Sequence, residues 1–215
     1  MKHATFRPRF GHSLLLLALG GTLTSSLVQA ADALPTIQQQ WAHCQYQETG
    51  KAKESCLATL SAQADQASAK EAFRTDLLIW SAIVKSTWAG AKGGLGALSL
   101  VKEAKAKLEI AIKQDPKALE GSAYTSLGSL YYQVPGWPVG FGDDDKAEQL
   151  LKQALAINPT GIDPNFFYGD FLLEQGDKAQ AKIYLDKALA APARPGREAA
   201  DEGRRTEIRE RLAKL

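Results

Sequence analysis

Three groups of residues have types and spacings that could do chemistry. The run Asp143-Asp144-Asp145 could hold a divalent cation through its carboxylate oxygens. The stretch Ala89-Gly90-Ala91-Lys92-Gly93-Gly94-Leu95-Gly96 could cradle a phosphate, because glycines and a lysine ahead of a helix N-terminus can hold an anion. Cys44 and Cys56, with His43 beside the first, could contribute to a zinc site or pair with each other.

Each group also has a local reading that needs no ligand. The aspartates stand where a helix over Lys146 to Ile157 begins, so they cap free N–H groups and favour the positive end of the helix dipole. The further oxygen ligands and distal glutamate of an EF-hand loop are missing. No strand precedes the glycine stretch and the order G-x-x-x-x-G-K-[S/T] is absent, so it reads as an enlarged turn between helices. One histidine and two cysteines fall short of the four ligands of a structural zinc site. There is no G-x-S-x-G elbow, HExxH or nucleotide fingerprint, and nothing selects a carboxylate pair. The expectation is a non-catalytic protein with no cofactor and no metal.

The chain opens with Lys2, Arg7 and Arg9, an apolar run from Leu14 to Leu19, and Val28-Gln29-Ala30. That order predicts a signal peptide over residues 1–30, cleaved after Ala30. Glycines and hydroxyl residues from Gly20 interrupt the run well short of a membrane span, so no span is expected in the mature chain, which is expected in a bacterial periplasm. Without the three leader cations, 23 Lys+Arg face 24 Asp+Glu, a near-neutral balance that gives no ground for nucleic-acid binding.

The elements that position these groups are helical. Leu34, Ile37, Trp41 and Cys44, then Cys56, Leu57, Leu60 and Ala64, follow helical spacing around Gly50 and predict an antiparallel hairpin over 31–68. The cysteines lie six residues on either side of Gly50, at similar height on facing helices. In an exported protein that placement predicts a Cys44–Cys56 disulfide, two free core thiols being the alternative. A helix from about Ala69 to Thr87 presents Phe73, Leu77, Trp80 and Val84 on one face, and another from Ala97 stops at Asp115-Pro116.

A pattern then repeats. Tyr124-x-x-Leu127-Gly128-x-x-Tyr131 is followed by Ala147-x-x-x-Leu151-x-x-Ala154-x-x-x-x-Pro159. The second half recurs at identical offsets upstream, from Ala104 through Leu108 and Ala111 to Pro116. Downstream come Tyr168-Gly169-x-x-Leu172 and Ala181-x-x-x-Leu185-x-x-Ala188, with Asn165 where an aromatic would fall. The middle unit carries seven extra residues between its helices, in the stretch 134–142 with Trp137 and Phe141. These aromatics must pack somewhere, either on the array or around a pocket with Tyr132 and Phe166.

These motifs resemble the tetratricopeptide repeat, a helix-turn-helix unit of about 34 residues. The resemblance covers 69–191 and implies an all-α array of αα-hairpins in a right-handed superhelix. Residues 192–215 are expected as a linker and a C-terminal capping helix, with Arg197, Arg204, Arg205, Arg209 and Arg211 on a solvated face. In such proteins the first helix of each pair lines a concave groove. Here that implies a groove near Ser122, Thr125, Ser129, Tyr132, Gln133, Phe166, Asp170 and Leu173. The binding residues expected from these readings are Ser129, Tyr132, Gln133, Trp137, Phe141, Phe166 and Asp170. The leader, the nonstandard loops and the stretch from Pro135 to Phe141 also resemble the periplasmic tetratricopeptide component of TRAP-type solute transporters. The function expected is a periplasmic adaptor for a protein or peptide. The alternative is a small-ligand carrier or transport accessory protein whose pocket the 134–142 loop closes.

Overall fold

Residues with helical periodicity and few breakers should form helices, and among the described residues every regular element is one. The computed structural model describes Met1 and residues 32–215, so the expected signal peptide lies outside the described residues. The helices are α1 (Ala33–Tyr46), α2 (Gly50–Lys70), α3 (Thr75–Lys92), α4 (Gly94–Gln114), α5 (Ser122–Gln133), α6 (Asp144–Ile157), α7 (Ile162–Glu174), α8 (Lys178–Leu189) and α9 (Glu198–Leu212). A short 3-10 turn, Ala118–Gly121, precedes α5. Consecutive helices pack on one another, giving an all-α repeat array. None of them is long and apolar enough to cross a membrane.

The helix starts follow the polar residues ahead of them. Asp143 Oδ1 accepts from Lys146 N at 2.9 Å and Asp177 Oδ1 from Gln180 N at 3.1 Å, so each satisfies an N–H that the first turn leaves free. Pro116 and Pro159 follow the ends of α4 and α6 because proline cannot continue the ladder.

The repeated offsets mark the interior. Ala104, Leu108 and Ala111, Ala147, Leu151 and Ala154, and Ala181, Leu185 and Ala188 are all 0 % exposed. The glycines of the first half-pattern let each hairpin close on its leucine. A Cβ at Gly128 would stand 2.8 Å from Leu151 Cγ, and one at Gly169 would stand 2.9 Å from Leu185 Cγ. Only a residue without a side chain lets α5 approach α6, and α7 approach α8, so closely.

Two local expectations need correction. The third helix starts at Thr75, because α2 runs on to Lys70 and Phe73, 81 % exposed, lies in the connection rather than on a buried face. The glycine stretch is not an enlarged turn: α3 continues to Lys92 and α4 starts at Gly94, leaving Gly93 (φ 64°) as the break. Tertiary packing outweighs the weak helix propensity of glycine there, with Ala89 buried against the α3–α4–α5 core.

The larger correction concerns α9, which is not a solvated cap. Its Ala200 joins the core of α1, α2 and α3 beside Ile37 and Trp41, while its Ile208 joins the core of α7 and α8 beside Phe166 and Leu185. Gly203 lies directly against the Tyr46 ring, whose hydroxyl bonds Glu207 at 3.4 Å. The last helix therefore returns to the first and ties the two ends of the array together.

The expected Cys44–Cys56 disulfide joins α1 to α2 across a sequence separation of 12, with Cα atoms 5.6 Å apart. Closing a loop of that size stabilises by about 3 kcal/mol in the chain-entropy model. The double variant Cys44→Ser/Cys56→Ser is expected to lose about that much, read as a lower urea midpoint at similar slope.

Candidate functional site

The first helix of each hairpin faces inward, and together with α9 these helices enclose a concave cavity of about 1490 Å³. Gln38, Trp41 and Gln45 come from α1, Trp80, Ile83 and Thr87 from α3, and Ser122, Thr125, Ser126, Ser129 and Gln133 from α5. Phe166, Phe167 and Asp170 come from α7, and Arg204, Glu207 and Arg211 from α9. The wall thus combines aromatic faces with neutral hydrogen-bonding side chains and charges.

The expected site residues divide. Ser129, Gln133, Phe166 and Asp170 line the cavity, as do Ser122 and Thr125. Tyr132 stands behind the wall and donates to Asp170 Oδ2 at 2.9 Å, so it positions that carboxylate rather than facing the space. Burial, followed by the Asp170 charge, pushes the Tyr132 phenol well above its usual range and keeps it a donor. Leu173, like Tyr132, is not part of the wall.

Trp137 and Phe141 are not brought together around the cavity. Phe141 packs edge-on against Tyr131 at 5.5 Å, with Lys105 Nζ 5.7 Å from its ring centroid. Trp137 is 91 % exposed. The loop folds tightly on itself, through Gly142 N to Pro135 O at 3.0 Å and Val139 N to Gly136 O at 3.1 Å, which leaves Trp137 near its tip. It reaches the cavity instead through Val134, Pro135 and Val139.

The arginines of the wall were not foreseen. Arg197, which precedes the first turn of α9, and Arg204 and Arg211 within it recur every seven residues, about two helical turns, which aligns them along one face. That spacing was a usable signal for a common face, but it does not say what the face meets. Arg204, 8 % exposed, donates from Nε to Asp163 Oδ1 at 2.9 Å and from Nη1 to Glu207 at 2.5 Å, and stacks over Phe166 at 4.4 Å. Arg211 pairs with Asp170. Arg194, in the linker before α9, bonds Asp163 Oδ2 at 2.6 Å and Asp201 Oδ1 at 2.7 Å. Burial alone would raise the Asp163 carboxyl, but the Arg204 and Arg194 charges outweigh it and hold the group down to about 2.

Leu119 and Glu120, also in the wall, sit in the left-handed region at φ 48° and 55°. Such a backbone costs about 1–2 kcal/mol per residue. Glu120 Oε2 is held there by Asn158 Nδ2 at 2.8 Å. Among the described residues no cluster of three or more His, Cys, Asp or Glu could hold a metal ion.

Comparison with known families matches residues 140–200 to the tetratricopeptide repeat family, a span that runs from the end of the aromatic loop through α6, α7 and α8 into α9. No curated protein matches the chain. Residues 140–200 are thus similar to the tetratricopeptide repeat, and the same offsets are buried in the hairpin upstream of them, so the array is built of repeats of that kind.

Proposed function

We propose that the protein is a non-catalytic adaptor that binds a segment of a partner protein in its concave cavity, in an extracytoplasmic compartment. The cavity itself carries this reading. At about 1490 Å³ it exceeds the roughly 300–1,000 Å³ of ordinary small-molecule pockets. Its neutral donors and acceptors, such as Gln38, Gln45, Thr125, Ser126 and Ser129, suit the main chain of an extended segment. The Cys44–Cys56 bond supports an oxidising location such as the periplasm.

A photo-crosslinking residue at Ser126, inside the wall, is expected to capture one discrete partner in cells that export the protein. The same residue at Lys182, exposed on α8, is expected to capture none. A synthetic peptide covering the captured segment should abolish the adduct. Equal labelling from both positions, or no competition by the peptide, would refute the adaptor reading.

One observation favours a second reading, a small-ligand carrier or transport accessory protein: α9 walls the concave face against α1 and so narrows an otherwise open groove. Saturable thermal stabilisation by a metabolite, with no protein present, would support it.

A further inference from the structure

We propose that Arg197, seated on Trp80, forms the centre of a carboxylate-binding subsite where α9 meets α1 and α3, inside the cavity. The proposal rests on the reading of that cavity as the binding surface and adds the chemistry of what it takes.

Of the three arginines aligned along the inner face of α9 and its N-terminal cap, Arg204 and Arg211 are met by carboxylates and Arg197 is not. Its guanidinium carbon lies 4.8 Å above the Trp80 ring, and its buried Nε has no hydrogen-bond partner. The nearest acids are already engaged: Asp163 and Asp201 both bond Arg194. Burial, and then the adjacent Arg194 charge, lower the Arg197 pKa from its usual value, so an added negative charge would be favoured there. Lys53, on the same cavity wall, donates only to the Gln45 carbonyl at 2.8 Å.

The pairing selects the ligand. Around this end of the cavity the cations are Lys53, Arg194, Arg197 and Arg204, and the carboxylates are Asp163, Asp201, Glu207 and, exposed beside Arg197, Glu198, which accepts from Gly196 N at 3.0 Å. The charges balance overall while each carboxylate serves a group other than Arg197, which suits one added monoanion better than a dianionic phosphate. The remaining wall acids do not reach it. Asp170 serves Arg211, Glu120 is held by Asn158, and Glu210 lies about 20 Å along α9 from Arg197. A planar carboxylate fits the guanidinium fork, and the rings of Trp41 and Trp80, 5.6 Å apart, offer an apolar wall for the group that carries it. An acidic side chain on a bound segment and a free organic acid share this chemistry.

The test uses the whole exported chain. Benzoate and the peptide acetyl-Ala-Ala-Glu-Ala-Ala-amide are titrated against it, with benzamide and the Gln peptide as neutral counterparts. The readouts are tryptophan fluorescence and the Arg197 Nε–H signal in NMR spectra. At least one carboxylate should shift that signal saturably while its neutral counterpart does not. Arg197→Gln should weaken binding by about tenfold or more, the worth of a charge-assisted hydrogen bond. Arg209→Gln, on the exposed side of α9, should bind as the parent does. Binding of the peptide alone assigns the carboxylate to a partner's acidic side chain, and binding of benzoate as well admits free acids. If Arg197→Gln fails to fold, the Nε–H shift in the parent chain decides alone. No shift with either carboxylate, or equal binding by Arg197→Gln, overturns the proposal. Capture of a partner at Ser126 that survives Arg197→Gln would remove the subsite and leave the adaptor. Carboxylate binding without any captured partner would do the reverse.

Discussion

Asp163→Ala is expected to destabilise the protein by about 3 kcal/mol, the lower end of the range for removing one partner of a buried ion pair, because the Asp163 carboxylate is itself 29 % exposed. One carboxylate on α7 serves two guanidiniums, Arg194 at 2.6 Å and Arg204 at 2.9 Å, and both belong to the segment that closes the array. Two considerations set the magnitude. Arg204 has only 9 % of its side chain exposed, so losing its partner leaves a nearly desolvated charge. Against that, Asp201 still holds Arg194 and Glu207 still holds Arg204. The denaturation midpoint should fall accordingly. Hydrogen exchange should show faster opening of α9 than of α4, because the ion pairs link α7 to the linker and α9 while α4 lies elsewhere in the array.

The same carboxylate makes stability depend on acid. Its pKa lies at about 2 in the folded chain, against an ordinary 3.8. A depressed carboxyl contributes stability that is fully present above its unfolded value and is lost as pH falls through its folded one. The parent should therefore lose about 2 kcal/mol from this group between about pH 4 and pH 2, and Asp163→Ala should lack that part of the slope. The loss on protonation is smaller than the loss on truncation because a neutral carboxyl still occupies the space and can still hydrogen-bond. Thermal unfolding of both chains from pH 6 down to pH 2 checks the sign: an identical acid slope in both would assign it elsewhere.

The repeats could be read from sequence because their information is local. An alanine three or four residues from a leucine, with a proline after the helix, marks a hairpin locally, and those alanines and leucines are among the residues with no exposed surface. The cysteines could be read for the same reason, each lying six residues from Gly50, which begins α2 just after the turn. The concave face followed from the family geometry, which placed Ser129, Gln133, Phe166 and Asp170 on the wall.

What was not legible depends on contacts between distant parts of the chain. The α9 arginines looked solvated because acids stand among them in sequence. Yet Arg204 finds Asp163, 41 residues away, and Tyr46 finds Glu207, 161 residues away. No pattern within α9 encodes either partner. Trp137 failed differently. Flanking glycines and prolines fix a tight loop whose shape turns Phe141 into the core and Trp137 out of it, and composition cannot tell those two directions apart.

Closure by α9 also changes how the array should respond to damage. Leu151→Ala is expected to cost about 4 kcal/mol, in the upper half of the range for deleting a buried leucine. Leu151 is fully buried against Gly128, a position with no side chain that could move into the space, and Ala147 and Ala154 on either side are equally enclosed. The vacated volume therefore stays open. In an open solenoid each repeat holds only its neighbours, so a lesion in a middle hairpin lets the two halves unfold separately. Here Ala200 and Ile208 anchor one helix in both end cores, which ties those halves into one cooperative unit. Leu151→Ala alone should lower the midpoint yet leave fluorescence, dominated by Trp41, Trp80 and Trp88 in the first half, coincident with circular dichroism of the whole chain. Adding Asp163→Ala should separate the two curves. Curves that part in Leu151→Ala alone, or stay together in the double variant, would mean that α9 does not supply the cooperativity.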